Sequence, residues 1–372
     1  MNAPALPGRI GPWLRGRLPQ IDPILIAVVG VLSLVGLATL YSAASDHPGR
    51  FGEQLRNLAL AATLMVVVAG VPPRMLKRLA LPVYVVGLLL LVAVLFAGVS
   101  VKGAQRWLDF GVTRVQPAEI MKLGVPLVLA WYFDRREGAV RGMDFLVAAV
   151  LVLIPVLLIA KQPDLGTAAL VLAAGFFVIF FAGLPWVWLA GIGGGALAML
   201  PIAWALMHDY QRNRVLTLVD PMSDPLGKGF HTLQSMIAIG SGGFFGKGWM
   251  QGTQTHLEFI PERTSDFIFA VYSEEFGLIG NVALLALFLV LVGRALAIAH
   301  QAATSFTRLL ASAIAMILFT FAFVNMAMVS GILPVVGVPL PFISYGGTAL
   351  VTLGMACGML MCVQSDRKFV QM

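Results

Sequence analysis

The chain has 372 residues, 59% hydrophobic and only 12% charged, with a mean hydropathy of +0.89. Soluble domains carry about 25% charged residues, so composition excludes a soluble globular protein and points to an integral membrane one. The net charge of +7 is spread over loops without a basic cluster among aromatics, which argues against nucleic acid and suits membrane lipid headgroups or an anionic lipid-linked substrate.

In chain order, Arg9, Arg15 and Arg17 precede the first apolar run. That run, 21–44, is longer than the 7–15 residues of a cleaved signal core, so it predicts a retained helix with a basic cytoplasmic tail. Ten spans follow from apolar runs: 22–44, 54–71, 77–98, 116–133, 143–160, 164–183, 185–207, 266–292, 308–332 and 343–364. Each approaches the ~20 residues that cross a hydrocarbon core as a helix, whereas a β-barrel would show short alternating segments. The expectation is an all-α integral membrane protein. It would form a single polytopic domain over 1–372, with ten transmembrane helices and a long extracytoplasmic loop, 208–265, between helices seven and eight. Cys357 and Cys362, five apart on the last helix, offer neither a disulfide nor a zinc site.

An even number of spans puts both termini on one side. Short loops such as 72–78 are basic, and the five cations of 208–265 carry little topological weight in so long a loop. Both termini are therefore expected in the cytoplasm. Three features then share the outer side: the loop 99–115, the loop 208–265 and the Gly/Pro-rich segment 331–347. Non-helical backbone at membrane depth is tolerated where it lines a cavity or packs on protein, so a shared outward-facing cavity is the economical reading. No internal repeat supports an inverted-repeat transporter.

Residues 103–122 read GAQRWLDFGVTRVQPAEIMK, with Pro117 suited to a first helical turn. Glu119 and Lys122 share a helix face and either neutralise each other or line a polar cavity. Arg106 and Arg114 either grip phosphate or snorkel at the interface. In KQPDLGT, 161–167, Lys161 and Asp164 either bridge a turn or reach the same cavity. The glycine run 240–248 lacks the Ser/Thr and the strand of a phosphate loop; flexibility or N–H contact to a pyrophosphate remain. Segment 331–347, GILPVVGVPLPFISYGG, predicts a rigid re-entrant loop in which Ser344 and Tyr345 are the side-chain hydrogen-bonding groups.

The stretch 257–280, LEFIPERTSDFIFAVYSEEFGLIG, places Asp266 where a polar loop enters an apolar helix, with Thr264 and Ser265 as candidate caps. On a 100° helical step, Glu275 falls opposite Asp266 and Glu274 80° away, both about 12–14 Å deeper. They are read as bundle contacts, leaving Asp266 at the mouth of the cavity.

These motifs, with NMAMVSGILPVVGVPLPFISYGG at 325–347, resemble the SEDS family (shape, elongation, division and sporulation) over nearly the whole chain. VSGILPVVGVPLP is more similar to the elongation members than to the division ones. The resemblance implies a ten-span glycosyltransferase that polymerises lipid II into peptidoglycan on the outer face of the bacterial cytoplasmic membrane during elongation. It also implies a class B penicillin-binding protein as transpeptidase partner, and the elongation machinery around them. A divalent cation, Mg or Mn, is implied without a ligand set. The family's essential aspartate falls on Asp266, its cavity pair on Glu119 and Lys122, its basic residue before QPAE on Arg114 and an acid of the long loop on Glu258. Thr264 stands where the family often has histidine.

On that basis Asp266 is the expected general base for the acceptor 4-hydroxyl. Arg106, Arg114, Lys122, Arg214 and Arg263 are candidates to stabilise the departing pyrophosphate. A lipid II transporter, a division-specific role and a non-catalytic scaffold remain as alternatives.

Overall fold

The computed structural model describes residues 22–101, 104–109, 111, 114–206, 212, 229–257, 259–260 and 262–370. Among the described residues, ten long helices coincide with the ten apolar runs: α1 (Pro23–Ala43), α2 (Pro48–Ala69), α3 (Pro73–Ala97), α4 (Pro117–Asp134), α5 (Gly142–Lys161), α6 (Leu165–Phe181), α7 (Trp186–Leu206), and then, after two short helices, α10 (Ile268–His300), α11 (Ser305–Val329) and α12 (Gly347–Val370). The short ones are α8 (Gly229–Gly242) and α9 (Thr253–His256). Four of the first helices open on proline in the first turn, where a missing N–H leaves no bond unmade. Among the described residues, seven helices are long and apolar enough to cross a membrane by length and composition. The apolar stretches of α6 and α7 are shorter, and α4 carries Glu119, Lys122 and Asp134.

The chain is not purely helical. The expected loop 99–115 forms a small antiparallel sheet of β1 (Val99–Val101), β2 (Ala104–Asp109) and β3 (Arg114–Val115), in that order. Its tip is closed by Asp109, which accepts from the Gly111 N–H at 2.8 Å and from Arg114 at 3.1 Å. These two donors, the backbone N–H first, hold the Asp109 carboxyl below the usual carboxylate range.

Helices α4, α11 and α12 are buried along most of their length, and α2 packs along α12. Gly354 and Gly358 permit this approach: a Cβ there would stand 2.6 Å from the Ala61 carbonyl and 2.5 Å from that of Met65. At the other end, Arg294 of α10 pairs at 2.6 Å with the fully buried Asp22 that caps α1. Asp134 pairs with Lys77 and accepts from the Phe306 N–H at 2.9 Å, joining α3, α4 and α11.

Helix α10 is broken at Gly277, where φ is 64° and ψ −160°. The glycine run expected to be flexible, or to contact phosphate, fills the break instead. Lys247 and Gly248 N–H donate to the Glu274 and Glu275 carbonyls at 3.0 Å each. In return Leu278 and Ile279 N–H donate to Gly243 and Phe244 at 2.9 and 3.2 Å. Backbone freed at membrane depth is thus satisfied by protein. Glu274, fully buried, extends the clasp: it pairs with Lys247 at 2.7 Å and accepts from the Gln254 and Thr255 N–H groups at 3.0 and 3.3 Å. Glu275 accepts from Ser42 and from the Met250 N–H. Both glutamates are therefore bundle contacts, as their helical angle suggests.

Candidate active site

Asp266 sits in a turn two residues before α10, and every neighbouring peptide is pinned. Arg263 donates to the Ala43 carbonyl at 2.8 Å and pairs with Asp46, anchoring the turn to the α1–α2 connection. Burial pushes the Asp46 carboxyl up, but its own backbone N–H, the Arg263 guanidinium and His47 outweigh this and hold it at about 2. Thr264 and Ser265 are not helix caps, because α10 starts after Phe267 without a side-chain cap. Thr264 accepts from Arg50 at 2.9 Å, and its carbonyl accepts from the Tyr345 N–H at 2.9 Å. The Ser265 carbonyl accepts from Ser344 Oγ at 2.6 Å, and the Asp266 carbonyl from Asn325 Nδ2 at 2.8 Å.

Two polar cavities, of about 480 and 500 Å³, meet at Asp266, Arg106, Trp107, Gln116 and Gly337. The first reaches Glu53, Arg56, Glu119, Lys122 and the start of α12. The second reaches Asp164, Gly166, Glu262, Ser265 and residues 335–336. Segment 331–347 walls both, and Gly337 (φ 70°) lies beside the carboxylate: a Cβ there would make van der Waals contact with Asp266 Oδ2 at 3.4 Å.

The expected site residues separate into three groups. Asp266, Arg106, Glu119, Lys122 and Asp164 converge on the cavities. Lys122 and Glu119 form a buried pair at 2.6 Å, so mutual neutralisation and cavity lining both hold; Glu119 Oε2 keeps no hydrogen-bond partner. Asp164 caps α6 through the Thr167 N–H at 3.1 Å, accepts from Gln116 at 3.0 Å and forms an ion pair with Arg106 at 3.3 Å. It thus pairs with the sheet rather than across its own turn. Arg263 and Ser344 hold the Asp266 turn without lining either cavity. Arg114 and Lys161 are not brought to the walls: Arg114 is spent on Asp109 at the sheet tip, and Lys161 is exposed at the end of α5. Arg214 and Glu258 lie outside the described residues.

The sequence model of the FtsW, RodA and SpoVE cell cycle proteins matches residues 19–369. The chain belongs to this FtsW/RodA/SpoVE family. It is 47% identical over 352 residues to the peptidoglycan glycosyltransferase MrdB of Escherichia coli K12, covering 94% of this chain and 95% of MrdB. It is 34% identical over 365 residues to the probable peptidoglycan glycosyltransferase FtsW of Trichlorobacter lovleyi, covering 95% of each. Among solved structures, it matches the rod shape determining protein RodA of Thermus thermophilus with a TM-score of 0.72 at 33% identity, over 94% of this chain and 98% of RodA. A TM-score of 0.82 at 34% identity, with the same coverage, relates it to a chain of a peptidoglycan synthase complex described as coordinating polymerization and crosslinking.

Several wall and support residues of this family member were not singled out from the sequence. Gln116 and Asn325 lie inside recognised motifs, but nothing in their spacing shows that one holds Asp164 and the other the Asp266 carbonyl. Arg56 reads as an interfacial cation at the head of an apolar span. Only the inward turn of α2 against α12 brings it to the first cavity.

Proposed function

We propose that the chain is a peptidoglycan glycosyltransferase that polymerises lipid II at the outer face of the bacterial cytoplasmic membrane during cell elongation. One observation carries this reading: Asp266 stands on the wall shared by two polar cavities, each large enough for part of a lipid-linked sugar. Family membership and the 47% identity to a peptidoglycan glycosyltransferase support it. Asp266 is the general base. It takes the proton from the acceptor GlcNAc 4-hydroxyl as that oxygen attacks C1 of the donor MurNAc. The C1–O bond breaks, the bonding pair leaves on the pyrophosphate, and α becomes β. Arg106 and Lys122 stabilise the departing charge.

Among the described residues no three His, Cys, Asp or Glu side chains gather to hold a metal by themselves. The buried, unpartnered Glu119 Oε2 fits the other mode, in which Mg²⁺ or Mn²⁺ takes one or two carboxylates together with substrate phosphate. Glu119 and Asp266 are the residues that would hold it, and it would offset charge on the leaving group. The termini face the cytoplasm, as the basic inner loops favour. A class B penicillin-binding protein is the partner, a reading supported by the likeness to a complex that joins polymerization to crosslinking.

The test is purified protein with labelled lipid II and a divalent cation, read as glycan chains. Asp266→Asn should bind lipid II and make no chains; chain formation by that variant would overturn the base assignment. Leaflet exchange in liposomes without chains would instead make the protein a transporter.

A further inference from the structure

The two cavities differ in charge, and the difference divides the reacting partners between them. The first contains Arg56, Lys122 and Arg106, together with the first turn of α12. Of its acids other than Asp266, Glu119 binds Lys122 through Oε1 while its Oε2 stays unpartnered, and Glu53 accepts from the Tyr345 hydroxyl. Arg56 makes no hydrogen bond or ion pair among the described residues. The N–H groups of Gly347, Thr348 and Ala349 precede the first intrahelical bond of α12, which Leu350 donates to Gly346 at 3.3 Å, so the positive end of a long helix opens on the same space. The buried Nε of Arg106 also lacks a partner. The second cavity has Asp164, Glu262, Asp266 and the backbone of 335–337, and its one cation, Arg106, already pairs with Asp164.

We propose that the first cavity is the leaving-group pocket, with Arg56 as a ligand of the donor's pyrophosphate, and that the second holds the acceptor sugar. The assignment rests on the glycosyl-transfer reading above. Inverting displacement needs the nucleophile and leaving group on opposite sides of C1. A chamber whose three cations match its three acids and an acid-rich chamber with one cation, meeting at Asp266, supply that arrangement. The acceptor oxygen forms its bond to C1 from the second cavity, its proton passes to Asp266, and the C1–O bond pair departs into the first on the pyrophosphate. A dianion there meets cations and free helix N–H groups. A neutral sugar in the second cavity meets carboxylate acceptors for its hydroxyls.

The experiment measures binding of undecaprenyl pyrophosphate to the purified full chain in nanodiscs, which requires no turnover. Arg56→Ala should weaken it by about five- to twentyfold, with Arg56→Lys recovering most of the loss, as expected for a charge-assisted contact at a cavity mouth. Undecaprenol, which has no phosphate, should bind equally to wild type and Arg56→Ala. Glu262→Gln should leave pyrophosphate affinity within about twofold while raising the KM for lipid II. Unchanged binding by Arg56→Ala, an equal loss in Glu262→Gln, or equal displacement by phosphatidylglycerol would each overturn the division. Arg56-dependent binding without glycan synthesis would sink the glycosyltransferase reading and leave the anion pocket standing. Glycan synthesis with Arg56-independent binding would do the reverse.

Discussion

Asn325 Nδ2 donates at 2.8 Å to the Asp266 carbonyl and at 2.7 Å to the Val338 carbonyl. One fully buried amide thus ties the candidate base to the loop that walls both cavities. Neighbouring bonds repeat the tie: Ser344 Oγ donates to the Ser265 carbonyl and accepts from the Leu340 N–H at 2.7 Å. The carboxylate therefore projects from a backbone held by its neighbours before substrate arrives.

Replacing Asn325 by Asp keeps the size and removes the donor, leaving two buried carbonyls unmet. Each such group costs about 1–3 kcal/mol. We expect a lower Tm together with a kcat loss of about 10- to 100-fold, because small displacements of a reacting group are costly. The informative readout is the split between constants: kcat should fall while the KM for lipid II changes little. A fall in Tm with wild-type kcat would make Asn325 a purely structural residue.

The clasp on α10 makes a sharper stability prediction. A Cβ on Gly246 would stand 2.0 Å from the Glu275 carbonyl oxygen, and one on Gly277 2.3 Å from the Gly246 nitrogen. Both residues have positive φ, 78° and 64°. Gly246→Ala and Gly277→Ala should each destabilise by about 2–4 kcal/mol, since backbone strain and lost backbone bonds between the turn and α10 add. Limited proteolysis should then cut within 243–257 at protease levels that leave the wild type intact. Gly240→Ala, where a Cβ meets nothing within 4 Å, is the control and should stay protected.

The ten helices were legible because membrane spans announce themselves as long apolar runs, and Asp266 because a carboxylate at a loop-to-helix boundary stands out. The clasp was not. Glycines at 240–248 read equally as flexibility, and nothing local says that Gly277 breaks a helix whose composition is continuous. Arg114 illustrates the opposite failure. Its place in a recognised motif suggested the cavity, but a two-residue strand turns it toward Asp109. Long-range pairings such as Arg106 with Asp164 depend on how β2 and the start of α6 meet, which no periodicity encodes.

The Asp46–Arg263 pair gives the Asp266 turn a pH dependence. The Asp46 carboxyl is held at about 2 against an unfolded value of 3.8. A depressed folded pKa contributes stability that is full above the unfolded value and is lost as pH falls through the folded one. Thermal unfolding in detergent should therefore be insensitive to Asp46→Asn at pH 2 and show a deficit above pH 4. One-third exposure of Asp46 keeps that deficit below about 1 kcal/mol. An identical deficit at pH 2 and pH 6 would show that the pair does not titrate in this window.

Glu119 carries the last prediction, because its two oxygens are in different situations. Oε1 binds Lys122 at 2.6 Å, and Oε2 is buried without a partner. If Oε2 serves a divalent cation shared with the substrate, Glu119→Gln should raise the metal concentration for half-maximal polymerisation by about tenfold, and excess Mn²⁺ should restore much of the rate. A purely structural pair predicts something else. Removing one partner of a buried ion pair strands the other charge and costs about 3–5 kcal/mol. Tm would then fall and no metal concentration would recover activity. Titrating Mg²⁺ and Mn²⁺ against glycan output, with Tm measured on the same preparations, separates the two. Lys122→Met is the matched comparison: it should lower Tm through the stranded carboxylate while leaving the Glu119 oxygens available to metal.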